Sequence, residues 1–277
     1  MKKYFSLVTG ASKGLGKAMS LEFAKRGRNL VLVALPNSGL GELTYFIRKN
    51  FNVEVFYLEV DLSMTKNYYI ISDYIKDNDI HLKYLVNNAG ILSRGLFDDL
   101  DDRFILDQIE VNVSAPTLLI KLLLKNLKEN APAGILNVSS LASFFAIPKK
   151  QVYGGTKAYL LSFSNSLRKE LKRDNISVTT VCPGPLNTTT KLCYQNRIVG
   201  LISRESVLTP ESVAKTSIDG MLAGKKIIIP GFINKCFIVL EKILPEFIQD
   251  KLTNGEINKF EKAPLQVKML PNKLIEE

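Results

Sequence analysis

The stretch Thr9-Gly10-Ala11-Ser12-Lys13-Gly14-Leu15-Gly16 decides the fold, because it joins the apolar run 4–8 to the helix-forming run 17–24. Glycines between a strand and a helix let the chain turn tightly, bring backbone N–H groups close to a pyrophosphate and direct a helix N-terminus at its charge. The spacing differs from the G-x-G-x-x-G of most dinucleotide folds and lacks the G-K-[ST] ending of a P-loop. The stretch therefore favours a dinucleotide site over ATPase chemistry, with an ordinary glycine-rich turn as the structural alternative.

Strand-like and helix-like segments alternate along the chain, which predicts crossover units that build one parallel sheet. The predicted strands are 3–8, 29–34, 53–59, 83–88, 134–139, 176–182 and 226–230. The predicted helices lie near 15–27, 39–51, 63–77, 101–129, 151–174 and 209–223, with Ser63 and Thr209 as N-caps. We therefore expect an α/β protein with a single Rossmann-fold domain over 1–230, a doubly wound seven-stranded parallel sheet with helices on both faces, and an amphipathic helical extension over 231–277.

Composition excludes several function classes. The chain has 277 residues, 46% of them hydrophobic, so it can bury a core and is not disordered. Its single histidine, His81, argues against a Ser-His-Asp hydrolase and a multi-histidine site, and we expect no metal. The cysteines Cys182, Cys193 and Cys236 form no C-x-x-C pair or disulfide framework, which favours a reducing, cytoplasmic location.

Two further patterns concern membranes and nucleic acids. The apolar run 4–8 is too short for a signal peptide, and no segment reaches the roughly 18 apolar residues of a spanning helix, so we expect no membrane crossing. The net charge is +10, and residues 120–173 hold ten basic and two acidic side chains. Because no binding motif or basic arm accompanies this excess, it suits an anionic dinucleotide or an acidic membrane surface better than nucleic acid.

A candidate proton-transfer pair occurs at Tyr153 and Lys157. Their i, i+4 spacing places the phenol and the ammonium on one helical face, where the cation lowers the pKa of the phenol. Ser140 follows the fifth predicted strand, so its hydroxyl lies at the carboxyl edge of the sheet, where ligands bind in such folds. This group can replace the missing histidine, although a Tyr/Lys pair by itself is usually a surface pair. Gly154 and Gly155 each cost the helix about 0.5–1 kcal/mol relative to alanine, which indicates that something needs the space beside Tyr153.

Together these residues carry a family resemblance that extends from residue 4 to about 230. The chain resembles a short-chain dehydrogenase/reductase of the Tyr-x-x-x-Lys type. The matching motifs, in family order, are Thr9-Gly10-x-x-x-Gly14-x-Gly16, Asn87-Asn88-Ala89-Gly90, Asn112, Ser140, Tyr153-x-x-x-Lys157 and Pro183-Gly184-x-x-x-Thr188. Ser140 is preferred to Ser139 because the family's serine lies thirteen residues before its tyrosine.

The resemblance implies hydride transfer between a nicotinamide and a carbonyl or alcohol carbon, with Asn112, Ser140, Tyr153 and Lys157 as catalytic residues. In the reducing direction Tyr153 would give its proton to the carbonyl oxygen while Ser140 holds that oxygen. Lys157 would bind the nicotinamide ribose and lower the pKa of Tyr153. Asn112 would hold a water that links Lys157 to solvent.

The resemblance also implies a set of cofactor-binding residues. They are Gly10, Ser12, Lys13, Gly14, Leu15, Gly16, Asp61, Leu62, Asn88, Ala89, Gly90, Tyr153, Lys157, Pro183, Gly184 and Thr188. Asn88 would brace the sheet and Gly90 would admit the adenosine. Asp61 would contact the adenine amino group, with an acidic turn residue as the alternative. Thr188 would meet the carboxamide or a phosphate.

The end of the second predicted strand bears on the choice of cofactor. NAD enzymes of this family usually carry an aspartate there to bind both adenine-ribose hydroxyls, but this sequence has Leu35. The basic residue common in NADP enzymes is missing as well. Lys13 remains to bind a 2′-phosphate, with Asn37 or Ser38 beside it. We therefore expect NADP(H), with NAD(H) as the alternative.

Apolar residues in the loop 184–208 and at helical spacing after 231 favour a hydrophobic substrate. We expect an NADPH-dependent carbonyl reductase that acts on a ketone or aldehyde such as a sterol, ketoacyl or long-chain carbonyl compound. The alternatives are an NAD-dependent alcohol dehydrogenase that runs in reverse and a non-catalytic dinucleotide-binding scaffold. The segment 232–252 packs on the domain, on a second subunit or on a membrane surface, and we expect a homodimer through 101–129 and 151–174.

Overall fold

The computed structural model describes residues 2–92, 95–187 and 206–243. A seven-stranded sheet in the order β3-β2-β1-β4-β5-β6-β7 forms its centre, and every neighbouring pair is parallel. The strands are β1 Tyr4–Thr9, β2 Asn29–Ala34, β3 Val55–Glu59, β4 His81–Asn87, β5 Ala133–Val138, β6 Ile176–Val181 and β7 Ile227–Ile228. The strand order reverses direction between β1 and β4, and this switch point opens a crevice at the carboxyl edge of the sheet.

Eight α-helices accompany the strands in the part of the chain that the structure describes. They are α1 Gly14–Lys25, α2 Leu40–Asn50, α3 Lys66–Asp77, α4 Asp102–Ile109, α5 Ala115–Glu129, α6 Gln151–Leu171, α7 Pro210–Leu222 and α8 Phe232–Ile243. The predicted helix 101–129 is one continuous path with a π-helical segment, Glu110–Ser114, between α4 and α5. The expected helical extension is therefore described as far as residue 243, and 244–277 lie outside the described residues.

Two hydrophobic layers cover the sheet, as the doubly wound prediction requires. The first layer packs α1, α2 and α7 against side chains such as Val8 and Leu32. The second packs α3, α5 and the end of α6 against side chains such as Leu7 and Val31. Successive strand residues thus point to opposite faces, and both faces are apolar because both are covered. The predicted fold class is confirmed.

The two predicted N-caps have different outcomes. The Thr209 hydroxyl accepts a hydrogen bond from the Ser212 backbone N–H at 3.3 Å, so the first prediction is confirmed. Ser63 does not cap α3, which begins at Lys66. The Ser63 N–H instead donates to the Asp61 carboxylate at 2.8 Å, because the chain makes a turn before the helix starts.

Among the described residues, none of the helices combines the length and apolar character that a membrane span requires.

Candidate active site

The glycine loop after β1 is closed tightly enough to exclude side chains. A Cβ placed on Gly16 would lie 2.0 Å from the carbonyl oxygen of Gly10. Gly10 adopts a φ of 64° and Gly14 a φ of 53°, a left-handed conformation that favours glycine. The loop leads directly into α1, whose first turn carries no acidic residue. Backbone N–H groups at this helix N-terminus therefore suit an anionic group such as a pyrophosphate.

Thr9 and Asn88 join the ends of β1 and β4 beneath this loop. The Thr9 hydroxyl accepts hydrogen bonds from the backbone N–H groups of Asn88 and Ala89 at 3.0 and 3.1 Å. The Asn88 amide donates to the carbonyl oxygens of Thr9 and Gly10 at 2.9 and 3.2 Å. Asn88 thus braces the switch point of the sheet and holds the glycine loop in place.

Ser140, Tyr153 and Lys157 meet at the carboxyl edge beside that loop. Ser140 follows β5, and its hydroxyl accepts a hydrogen bond from the Ala142 N–H at 3.1 Å. Tyr153 and Lys157 lie on the first turns of α6 and are 8% and 4% exposed. The Lys157 ammonium donates to the Val138 carbonyl at 2.9 Å and lies 5.8 Å from the centre of the Tyr153 ring. The half-buried Ser140 hydroxyl, the buried Tyr153 phenol and the buried Lys157 amine therefore lie together at this edge of the sheet.

The pKa of Tyr153 differs from the prediction. Burial raises it above the ordinary value, and the hydrogen bond with Ser140 only partly offsets this effect. The Lys157 ammonium donates to the Val138 carbonyl. The phenol therefore carries its proton at neutral pH, the form that a proton donor needs.

Burial also acts on the other titratable groups of the site. It lowers the pKa of Lys157 to about 8 and raises that of the Cys182 thiol to about 11. Cys182 follows β6, is fully buried, and hydrogen-bonds with Ser139 and Ser143. Sequence reasoning missed this thiol, because the cysteine count alone gave no sign that it lies within reach of Lys157.

Asn112 lies in the π-helical segment, and its amide is bonded at both ends. Its oxygen accepts from the Ile91 N–H at 2.8 Å, and its nitrogen donates to the Ile91 carbonyl at 3.0 Å and to the Thr156 hydroxyl at 3.1 Å. A Cβ on Gly90 would lie 3.2 Å from both the Asn112 oxygen and the Lys157 nitrogen. Asn112 therefore holds the segment after β4 against α6. Its expected water remains a prediction.

The predicted adenosine side of the site contains Asp61, Leu62 and Ser38. The Asp61 carboxylate accepts from the Ser63 N–H, so it does serve as a turn residue, and its contact with adenine remains a prediction. Leu62 is buried in the core. The Ser38 hydroxyl is buried and has no hydrogen-bond partner among the residues described. Leu35, by contrast, is 55% exposed.

The turn Pro183–Gly184 completes the site at the end of β6. The Pro183 carbonyl accepts from the Leu141 N–H at 3.0 Å, which ties the turn to the segment that carries Ser140. Thr188, the last predicted cofactor residue, lies outside the described residues. Ser12, Lys13 and Leu15 occupy the glycine loop and the start of α1, as predicted from the sequence.

A buried polar chain under the site was not predicted. The Asn87 amide donates to the Asn137 oxygen at 2.8 Å, and the Asn137 amide donates to the Ser164 hydroxyl at 2.8 Å. Ser139 donates to the Lys157 carbonyl at 2.8 Å. These bonds fix α6 to β4 and β5. Asparagine at the ends of otherwise apolar strands was the signal that could have revealed them.

The two glycines beside Tyr153 have different surroundings. A Cβ on Gly154 would lie 3.2 Å from the Ala142 carbonyl oxygen, whereas a Cβ on exposed Gly155 would meet nothing within 4 Å. Close packing therefore explains Gly154, and nothing in the described structure explains Gly155.

We predict that Gly155→Ala raises the free energy of unfolding by about 0.5–1 kcal/mol, because alanine loses less backbone entropy in a helix. Denaturant titration of both variants measures this. Gly154→Ala is the matched control and should gain less, since its methyl group presses on Ala142. Equal gains for both variants would contradict the contact assigned to Gly154.

Comparison with known proteins agrees with this geometry. A family model for short chain dehydrogenases matches residues 5–195. The 17-beta-hydroxysteroid dehydrogenase 13 of Rattus norvegicus is 30% identical over 259 residues, which cover 92% of this chain and 84% of that protein. The very-long-chain 3-oxoacyl-CoA reductase of Mus musculus is 33% identical over 186 residues, which cover 65% of this chain and 58% of the mouse protein. A short-chain dehydrogenase from Sphingobium yanoikuyae in complex with NADPH matches with a TM-score of 0.74 at 25% identity, over 95% of this chain and 96% of that one.

The fold and the family model together define a Rossmann-fold oxidoreductase. The chain belongs to the short-chain dehydrogenase/reductase family, as the motifs predicted.

Proposed function

We propose that the protein reduces a ketone or aldehyde on a hydrophobic substrate with NADPH. The observation that supports this most directly is the convergence of the half-buried Ser140 with the buried Tyr153 and Lys157 beside the glycine loop. The test is NADPH oxidation across a panel of carbonyl compounds graded by chain length and ring size. Absence of turnover with every member, in a protein that binds NADPH, would favour the non-catalytic alternative.

The side chains divide the work of carbonyl reduction. The nucleotide, when bound, supplies the hydride. Tyr153 donates its phenolic proton to the carbonyl oxygen, and burial keeps that proton in place at neutral pH. The Ser140 hydroxyl holds the same oxygen, and the Lys157 ammonium stabilises the phenolate that remains.

The site fits a phosphorylated dinucleotide at two places. The contacts around Gly10 and Gly16 leave room for backbone approach to a pyrophosphate but not for a side chain. At the end of β2 no acid is present to repel a 2′-phosphate, and the buried hydroxyl of Ser38 lacks a partner within the described structure. These features support NADPH over NADH, with Lys13 of the glycine loop as the proposed cation for the 2′-phosphate.

The preference is testable at Leu35, which is exposed at the end of β2. We predict that Leu35→Asp weakens NADPH binding by at least about tenfold, because the carboxylate repels the 2′-phosphate, and that NADH binding is unchanged or tighter. Fluorescence titration with both nucleotides measures this. Leu35→Asn is the uncharged control. The same loss of NADPH affinity in both variants would contradict the charge argument.

The substrate class is proposed from two relatives. The rat protein is named as a hydroxysteroid dehydrogenase and the mouse protein as a very-long-chain 3-oxoacyl-CoA reductase. Both names denote bulky apolar substrates, so steroid ketones and long-chain 3-oxoacyl thioesters are the first members of the panel. Preference for short polar carbonyl compounds would contradict this part of the proposal.

A homodimer through α4, α5 and α6 is also proposed. Leu106, Ile109 and Tyr159 on this side of the molecule are 57%, 39% and 41% exposed, which supports burial against a second copy. We predict that the wild-type protein elutes as a dimer in size-exclusion chromatography with light-scattering detection. The Leu106→Glu variant should elute as a monomer. A monomeric wild type would contradict this proposal.

The cytoplasmic location likewise remains a proposal. Cys182 and Cys236 are free thiols, which supports a reducing compartment. Fractionation of the source cells measures it.

A further inference from the structure

Asn234 connects α8 to the active-site turn Pro183–Gly184. Its side chain is 1% exposed. The amide nitrogen donates to the Pro230 carbonyl at 2.8 Å and to the Ser206 carbonyl at 3.2 Å. The amide oxygen is buried and has no hydrogen-bond partner in the described part of the chain. A buried amide with these bonds is fixed in position, since turning it would leave its donor unpaired as well.

Gly184 lies directly against this amide. A Cβ on Gly184 would be 2.7 Å from the Asn234 oxygen and 2.8 Å from its nitrogen. Gly184 does not have a positive φ, so alanine can adopt its backbone conformation. The obstacle to a side chain at this position is therefore the Asn234 amide.

The turn is held from its other side by the segment that carries Ser140, through the hydrogen bond from the Leu141 N–H to the Pro183 carbonyl. A displaced Gly184 would therefore move relative to Ser140.

We infer that Asn234 is a positioning residue that sets the place of the Pro183–Gly184 turn and thereby the affinity for the nicotinamide nucleotide. It acts through Gly184 and does not touch the substrate. The first turn of α8 is consequently part of the catalytic unit, although it lies beyond the core that the sequence predicted to end at 230. The inference rests on the proposed function in taking the ligand of this turn to be a nicotinamide nucleotide.

The experiment is a double-mutant cycle read by NADPH fluorescence titration. Gly184→Ala is expected to weaken NADPH binding by about tenfold, because its methyl group overlaps the Asn234 amide. Asn234→Ala is expected to weaken binding by a similar factor, since the turn loses its support. The double variant should bind NADPH more tightly than Gly184→Ala alone, because the new methyl group fills the space that the amide leaves.

Asn126→Ala is the matched control. The Asn126 amide donates to the Ile80 carbonyl at 2.7 Å and accepts from the Leu82 N–H at 2.8 Å. These bonds lie at the start of β4, at the amino ends of the strands and far from the Pro183–Gly184 turn. Its loss should lower the thermal midpoint without changing the NADPH dissociation constant. If Asn234→Ala does not fold, Asn234→Ser takes its place in the cycle.

Two outcomes would overturn the inference. The first is a Gly184→Ala variant that binds NADPH like wild type. The second is a double variant whose loss is the product of the two single losses. Failure of the proposed cofactor is distinct, because wild type itself would then give no fluorescence change with NADPH. Failure of the proposed reduction alone appears as absent turnover and leaves the binding cycle readable.

Discussion

Tyr153→Phe is expected to lower kcat for carbonyl reduction by about 10²–10⁴-fold, the usual contribution of a positioned general acid. The variant keeps the aromatic ring and loses the phenolic hydroxyl that carries the proton. Because the ring accounts for nearly all of the buried surface, the free energy of unfolding should change by no more than about 1 kcal/mol. The NADPH dissociation constant should change far less than kcat, since the phenol acts mainly on the substrate oxygen although Tyr153 is also a predicted cofactor contact.

Steady-state kinetics with the best substrate of the carbonyl panel measures kcat, and NADPH titration measures the dissociation constant. Tyr159→Phe is the matched control on the same helix. Its hydroxyl lies 3.2 Å from the Thr117 hydroxyl on the face proposed for the dimer, so the variants are compared at one protein concentration and with the same oligomeric state. The control should retain wild-type kcat. Equal activity of Tyr153→Phe and wild type would disprove the proposed mechanism.

The sheet, the glycine loop and the grouping of Ser140, Tyr153 and Lys157 were predictable because each depends on local rules. A glycine in a left-handed turn, such as Gly10, is required by backbone sterics alone. Alternation of strands and amphipathic helices fixes a parallel sheet, and the carboxyl edge of such a sheet then collects Ser140 and the start of α6. These consequences follow from residues close together in sequence.

The properties that depend on burial could not be predicted in this way. The sequence places Lys157 one helical turn from Tyr153, and a cation at that distance predicts a lowered phenol pKa. In the fold, desolvation outweighs this effect, and the ammonium is directed to Val138. The contact between Gly184 and Asn234 joins positions fifty residues apart, and no local pattern signals it.

Lys157→Met is expected to abolish most of the activity while leaving the fold at least as stable at neutral pH. Removal of the cation that lies 5.8 Å from the centre of the Tyr153 ring should lower kcat/KM by about 10²-fold or more. Burial lowers the pKa of Lys157 from 10.5 to about 8. This difference means that the charged amine destabilises the native state by about 3 kcal/mol relative to the unfolded state. The Lys157→Met variant avoids this cost, but it also loses the hydrogen bond to the Val138 carbonyl, which reduces its gain in the free energy of unfolding by about 1 kcal/mol.

The pH dependence has a definite sign. Between about pH 8 and 10.5 the unfolded chain keeps the Lys157 proton and the native state releases it, so the wild-type free energy of unfolding rises with pH relative to the methionine variant. Below pH 8 both states hold the proton and the penalty is constant. Lys157→Arg stays charged across this range, so the variant should lack the rise. Denaturant titration of the three proteins at pH 7 and pH 10 measures the difference. Parallel stability curves for wild type and Lys157→Met would show that the ammonium is not desolvated, and the same burial argument for the Tyr153 proton would then fail with it.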